Sequence, residues 1–206
     1  MKKFLISLLL LPIIGYSQPL AIKKNQSGIF SLGVRTTLST FNHGSYGNNG
    51  LGVGGQFRLQ FANRLNTDWF FDYITSPIDD LGTRTDYHVG WSVMYYFTDK
   101  QTPLIKPYIL AGHCFDYSEL KEHRNPQNKI TRGSSAVQAG AGFHLNLSER
   151  MDMSFVAQYM IHLGEDIHAH EHNGHLEFEK HKGSGLEGHM LFHVGINYKI
   201  ADLWGK

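Results

Sequence analysis

The chain carries one cysteine, Cys114, in 206 residues, so no internal disulfide can staple it. It also lacks a long apolar run. The best, residues 4–14, falls well short of the roughly 20 apolar residues that a membrane-spanning helix needs, which excludes helical anchoring. An excess of either charge is missing too. Nineteen Lys and Arg against eighteen Asp and Glu give a formal charge of +1, or −1 once Lys2 and Lys3 are set aside, which argues against a dedicated nucleic-acid binder. No Pro- or Ser-rich linker interrupts the sequence, and the part from residue 18 onward has the size of one domain.

What is present begins with a leader-like start. Met1-Lys2-Lys3 precedes the apolar run and then Gly15-Tyr16-Ser17-Gln18, the order of a secretory signal. The expected division is residues 1–17 as a cleaved signal peptide and residues 18–206 as the exported domain. Between Gly28 and Ile200, about eight stretches alternate apolar and polar residues. In the last of them Met190, Phe192, Val194, Ile196, Tyr198 and Ile200 alternate with residues that include His189, His193, Asn197 and Lys199. Successive side chains on a strand point to opposite faces, so one face of this segment suits lipid and the other a polar interior.

Strands are expected near 28–40, 50–62, 66–76, 82–98, 105–118, 133–148, 150–163 and 186–200. The connectors alternate in length, with short ones at 63–65, 99–104 and 148–149, and mostly longer, more polar ones centred on 43–49, 77–81, 119–132 and 164–185. This is the pattern of an all-β protein: an eight-stranded antiparallel up-and-down transmembrane β-barrel with short periplasmic turns and longer outward loops. On that path Trp69, Tyr95, Phe97, Tyr108 and Tyr198 form an aromatic girdle at the short-turn rim, with Tyr73 and Tyr87 toward the other rim. The alternative is a soluble sandwich or lipocalin-like barrel with these aromatics in its core.

The stretches Gly28-Ile29-Phe30-Ser31-Leu32-Gly33-Val34, Gly52-Val53-Gly54-Gly55-Gln56-Phe57 and Lys106-Pro107-Tyr108-Ile109-Leu110-Ala111-Gly112 resemble strands of the small OmpA/OmpX-type outer-membrane β-barrel proteins of Gram-negative bacteria. The likeness spans nearly all of the exported part. It implies an eight-stranded barrel in the outer membrane and no particular reaction. Many members of that family end on an aromatic residue that helps assembly, whereas this sequence runs past Tyr198 and Ile200 to Trp204-Gly205-Lys206.

With one face outward, the interior is expected to hold Arg35, Arg58, Asp72, Asp86, His88, Gln138, His144, Gln158, His162, Glu187, His189 and His193, joined by His113 if the fifth strand keeps phase. Opposite charges and hydrogen-bonding groups can satisfy one another there as a structural polar plug. Eight strands enclose just enough room for their own side chains, so a diffusive pore is disfavoured.

The second informative region is residues 165–181, centred on Asn173-Gly174. Asn-Gly is a strong two-residue hairpin signal because both residues tolerate positive φ in a type I′ turn. That turn pairs His172 with His175, His170 with Glu177, His168 with Glu179 and Asp166 with His181, which puts all eight groups on one ribbon face. Continued downward, the register pairs His162 with Gly185, Gln158 with His189 and Ser154 with His193, giving one long hairpin. The cluster admits two readings. It is a solvated polar loop, or it captures a divalent transition metal, Zn²⁺, Ni²⁺ or Cu²⁺, through imidazole and carboxylate ligands.

A nucleophile and base at the outer rim would be drawn from Ser118, Ser184, His123, His43 and Asp166. The His-x-Ser-Asn pattern of lipid A deacylase barrels is absent, and the chain is not expected to be an enzyme. The leading expectation is an integral outer-membrane barrel with a structural or surface-interaction role and no open pore. A surface metal-binding barrel comes second, and a barrel enzyme acting on membrane lipid third. The expected surroundings are outer-membrane lipid, no nucleic acid, and an extracellular ligand or metal at the loops of a monomer.

Overall fold

The computed structural model of the chain describes residues 26–41, 49–164, 166–181 and 188–204. In these residues β1 (Ile29–Phe41), β2 (Gly50–Ala62), β3 (Leu65–Ile78), β4 (Gly82–Tyr96), β5 (Ile105–Glu122), β6 (Lys129–Asn146), β7 (Met151–Leu163) and β10 (Gly188–Asp202) close into one barrel. Each strand pairs antiparallel with its neighbours, and β1 meets β10 to complete the ring. The remaining two, β8 (Asp166–His172) and β9 (His175–His181), form a separate hairpin.

Strand alternation sorts the side chains by chemistry. Val34, Phe57, Trp69, Phe71, Val89, Trp91, Val194 and Ile196 are exposed on the outer wall, while Arg35, Arg58, Asp72, His88 and Asn197 are buried inside. Apolar side chains outside and charges inside invert the order of a soluble protein, so the outer wall faces lipid and the soluble alternative is excluded. The rings of Tyr73, Tyr87 and Tyr117 follow one another at 5.3 and 6.1 Å and mark the outward edge of the lipid belt. Trp69, Tyr95, Phe97 and Tyr198 face out toward the other rim, as expected.

Two residues of β5 depart from expectation. Tyr108 points into the lumen, 1% exposed and edge-on to Tyr96, because Gly142 opposite leaves room for it: a Cβ at Gly142 would lie 2.9 Å from its phenol oxygen. His113 stands on the outward-facing positions of β5, between Trp91 and Val137, and is not part of the lumen. Its Nε2 lies 2.5 Å from Ser135 Oγ, the diagonal cross-strand neighbour. Strands β5 and β6 also extend beyond their expected ends, through Lys121 opposite Lys129, which shrinks the connector between them to residues 123–128. The outward connector 79–81 is a tight turn with Asp79 at φ 46°.

The lumen is layered. Near the periplasmic rim Arg58 reaches Asp152 (3.0 Å) and Ser154, and His144 bonds Tyr96 and Ser154. Met94, Tyr96, Tyr108 and Leu110 form an apolar layer beside them. Higher up, the Arg35 guanidinium grips Asp72 through two nitrogens and lies 4.2 Å over the Phe70 ring. Phe70, Ile74, Cys114, Ala136, Met160 and Leu191 make a second apolar layer. Above it Asp116 gathers Arg132 (3.0 Å), His88 (3.3 Å) and His162 (3.2 Å). Two lumenal cavities measure about 20 and 10 Å³, room for no more than a water each. Asp86, Gln138, Gln158, His189 and His193 are buried as expected, and Glu187 lies outside the described residues.

Candidate functional site at the outward mouth

The hairpin forms with the register that its Asn-Gly turn dictates. Asn173 and Gly174 adopt φ of 53° and 78°, and the pairs are His172 with His175, His170 with Glu177, His168 with Glu179 and Asp166 with His181. The long continuous hairpin does not form. Gly164, at φ 142°, separates β7 from β8, and β10 returns to β7 two residues out of the projected register, with His189 opposite Met160 and His193 opposite Val156. The shift is an even number of residues, so the histidines keep their lumenal face. The projected partner Gly185 lies outside the described residues.

The ribbon's two faces differ in chemistry. Ile167 and Leu176 on one face are buried against Ile78 of β3 and Leu120 of β5, with Leu81, Ile130, Ala169 and Phe178 packed around them. Gly82 at the start of β4 makes the seat for Leu176: a Cβ there would lie 2.5 Å from Leu176 Cδ1. Burial of this face caps the barrel mouth and turns the other face to water. On that face His168 is half-buried, while His170, His172, Glu177 and Glu179 are exposed. The rings of His168 and His170 lie 6.4 Å apart and nearly parallel. Asp166 and His181 are paired in the backbone ladder, and their side chains lie outside the described residues.

A polar latch holds the tip. Glu122 ends β5 five residues beyond Tyr117 and the tyrosine girdle, outside the lipid belt. Asn128 Nδ2 donates to Glu122 Oε2 (2.7 Å) and to the Leu176 carbonyl (2.7 Å), and His175 Nδ1 lies 3.0 Å from Glu122 Oε1. The Asn128 hydrogen bond, then the contact with His175, holds the Glu122 carboxyl below the usual carboxylate range. His175 is thereby held at the rim by Glu122. Among the described residues no three His, Cys, Asp or Glu side chains are already assembled as a metal cage.

Of the residues considered for catalysis, Ser118 and His123 are separated by the barrel wall. Ser118 faces inward and donates to Asp86 (2.6 Å), whereas His123 lies on the outward loop with Nε2 2.8 Å from Thr83 Oγ1. His43 and Ser184 lie outside the described residues. Sequence reasoning missed the cap. Its signal was available in the apolar residues Ile167, Ala169, Leu176 and Phe178, which alternate with the histidines and glutamates.

Comparison with known proteins agrees with this architecture. The family model for the outer membrane protein beta-barrel domain matches residues 6–179, and the chain belongs to that family. Its barrel is similar to that of Neisserial surface protein A, at 14% identity and a TM-score of 0.62 over 82% of this chain and 96% of that one. It is also similar to Ail, the attachment invasion locus protein of Yersinia pestis (14%, TM-score 0.51, 84% and 98% covered). OprG from Pseudomonas aeruginosa gives 14%, a TM-score of 0.50, and coverage of 84% and 96%. No protein of curated function matches the chain in sequence. The protein is a small OmpA/OmpX-type barrel of the outer membrane.

Proposed function

We propose that this barrel is a non-conducting, non-enzymatic surface protein, a monomer that presents a fixed ribbon outside the outer membrane for interaction. The observation that carries the reading is the apolar seat of β8–β9 on Ile78 and Leu120, which holds the ribbon over the mouth. The two apolar layers in the lumen and the small size of its cavities support a sealed interior. Separation of Ser118 from His123 across the wall supports a role without catalysis. Loops on a rigid scaffold are the usual place for recognition, and here the ribbon is that surface.

The test is labelling of intact cells with a membrane-impermeant maleimide. Glu177→Cys should react, and Glu149→Cys, in the opposite rim's turn, should react only after the outer membrane is opened. The native Cys114 is buried in the lumen and should stay unlabelled in both. Labelling of Glu149→Cys but not Glu177→Cys in intact cells would reverse the proposed presentation.

A further inference from the structure

We propose that the water-facing side of the capping ribbon is a site for a late first-row divalent metal ion such as Zn²⁺, held by His168 and His170 and completed by the cross-strand carboxylates of Glu177 and Glu179. His168 and His170 are two apart on β8, so their imidazoles leave the same face, and their near-parallel rings are 6.4 Å apart. Glu179 pairs with His168 and Glu177 with His170, and directly paired residues bring their Cβ atoms within about 4.5–5.5 Å. The Cβ atoms of the four residues therefore stand at the corners of one small rectangle, and the side chains must turn toward its centre to meet one ion, since no three of them are gathered in the structure. Docking of Ile167 and Leu176 on the barrel keeps this rectangle toward water and fixes the backbone beneath it.

The chemistry of the set selects the ion. Imidazole nitrogen with carboxylate oxygen suits Zn²⁺, Ni²⁺ and Cu²⁺, whereas Ca²⁺ and Mg²⁺ prefer shells of oxygen alone. Rotation of the side chains on a fixed ribbon brings two imidazole nitrogens to one ion at about 2.0–2.1 Å. Less ordering is needed than for a flexible His-rich segment, because the strands and turn already exist. The proposal narrows the eight-residue cluster expected from sequence. His175 pairs with His172 one step nearer the turn, and its Nδ1 is held at Glu122.

Calorimetric titration of the whole mature chain, refolded in detergent micelles, tests the site with zinc chloride and, in parallel, calcium chloride. One Zn²⁺ should bind per chain, with no calcium heat. The His168→Ala/His170→Ala variant should bind more than about 100-fold more weakly, since loss of even an outer-shell partner costs about 10–100-fold. Gly174→Val keeps every histidine but places a β-branched residue where φ is 78°, so the turn and the cross-strand register are lost. It should weaken binding by about 10-fold or more. Heat-shifted migration in gels verifies that each barrel is folded. Wild-type zinc affinity in the double variant would overturn the proposed ligands, and wild-type affinity in Gly174→Val would overturn the ribbon geometry. Equal binding of calcium and zinc would overturn the metal class.

Discussion

Val194→Arg places a charge where the outer wall is most intolerant of one. Val194 lies near the middle of β10, between Thr36 on β1 and Phe155 on β7, and it is 43% exposed on the surface that lipid covers. On the lipid face of a barrel an arginine costs about 2–4 kcal/mol at the midplane and about 0–1 kcal/mol near an interface. The first figure corresponds to a loss of about 30- to 700-fold in the folding equilibrium. A lumenal arginine is no fair comparison. Asn197, for example, is fully buried and held by Gln56 (2.6 Å) and Ser154 (3.1 Å), so a larger side chain would overpack there. The control is Thr131→Arg, on β6 beyond the level where Gly133 pairs with Tyr117, with an expected cost within about 1 kcal/mol. Urea unfolding in phospholipid vesicles, followed by tryptophan fluorescence, measures the difference. Equal midpoints for the two variants would refute the assignment of the lipid face, as would a folded, monomeric wild-type chain in water without detergent.

Leu176→Ala should free the cap while sparing the barrel. Truncation of a buried leucine costs about 2–5 kcal/mol, so amide exchange in β8 and β9 should accelerate while β3–β6 remain protected. Asp72→Ala leaves the Arg35 guanidinium without its main partner in a buried site and should cost about 3–5 kcal/mol, read as a lower urea midpoint; replacing Arg35 and Asp72 together by Leu and Val should recover part of it. For the latch, the lowered Glu122 carboxyl means that its contribution is complete above the ordinary carboxylate value of about 4.3 and is lost as pH falls through the lower folded value. Amides at the start of β9, corrected for intrinsic exchange, should lose protection in that acid window, and Glu122→Gln should flatten the dependence.

Strand parity was legible because lipid on one side and a crowded polar lumen on the other impose period-two alternation along every barrel strand. The hairpin register was legible as well, since Asn173-Gly174 fixes it locally through backbone conformation. What failed depended on partners distant in sequence. Tyr108 turns inward because Gly142 on the facing strand leaves space, and β5 places His113 on the opposite face. The return of β10 to β7 two residues out of register does not follow from the Asn-Gly turn, because Gly164 at φ 142° separates β7 from β8. The cap has no motif of its own: Ile167, Leu176 and Phe178 mark one face of the ribbon as apolar, but the surface that receives them, Ile78 and Leu120, lies far away in sequence. In the candidate site, the cross-strand pairing of histidine with glutamate could be read beforehand, but the diversion of His175 to Glu122 could not, because Glu122 lies 53 residues away.

A sealed barrel is the central claim, and planar-bilayer recording of the refolded chain tests it most directly. The layered lumen and the seated cap predict a flat current trace under applied voltage, with no ion-conducting steps in wild type and none in Leu176→Ala, where only the cap is loosened and the inner layers remain. Reproducible unitary conductance from the wild-type monomer would contradict the account.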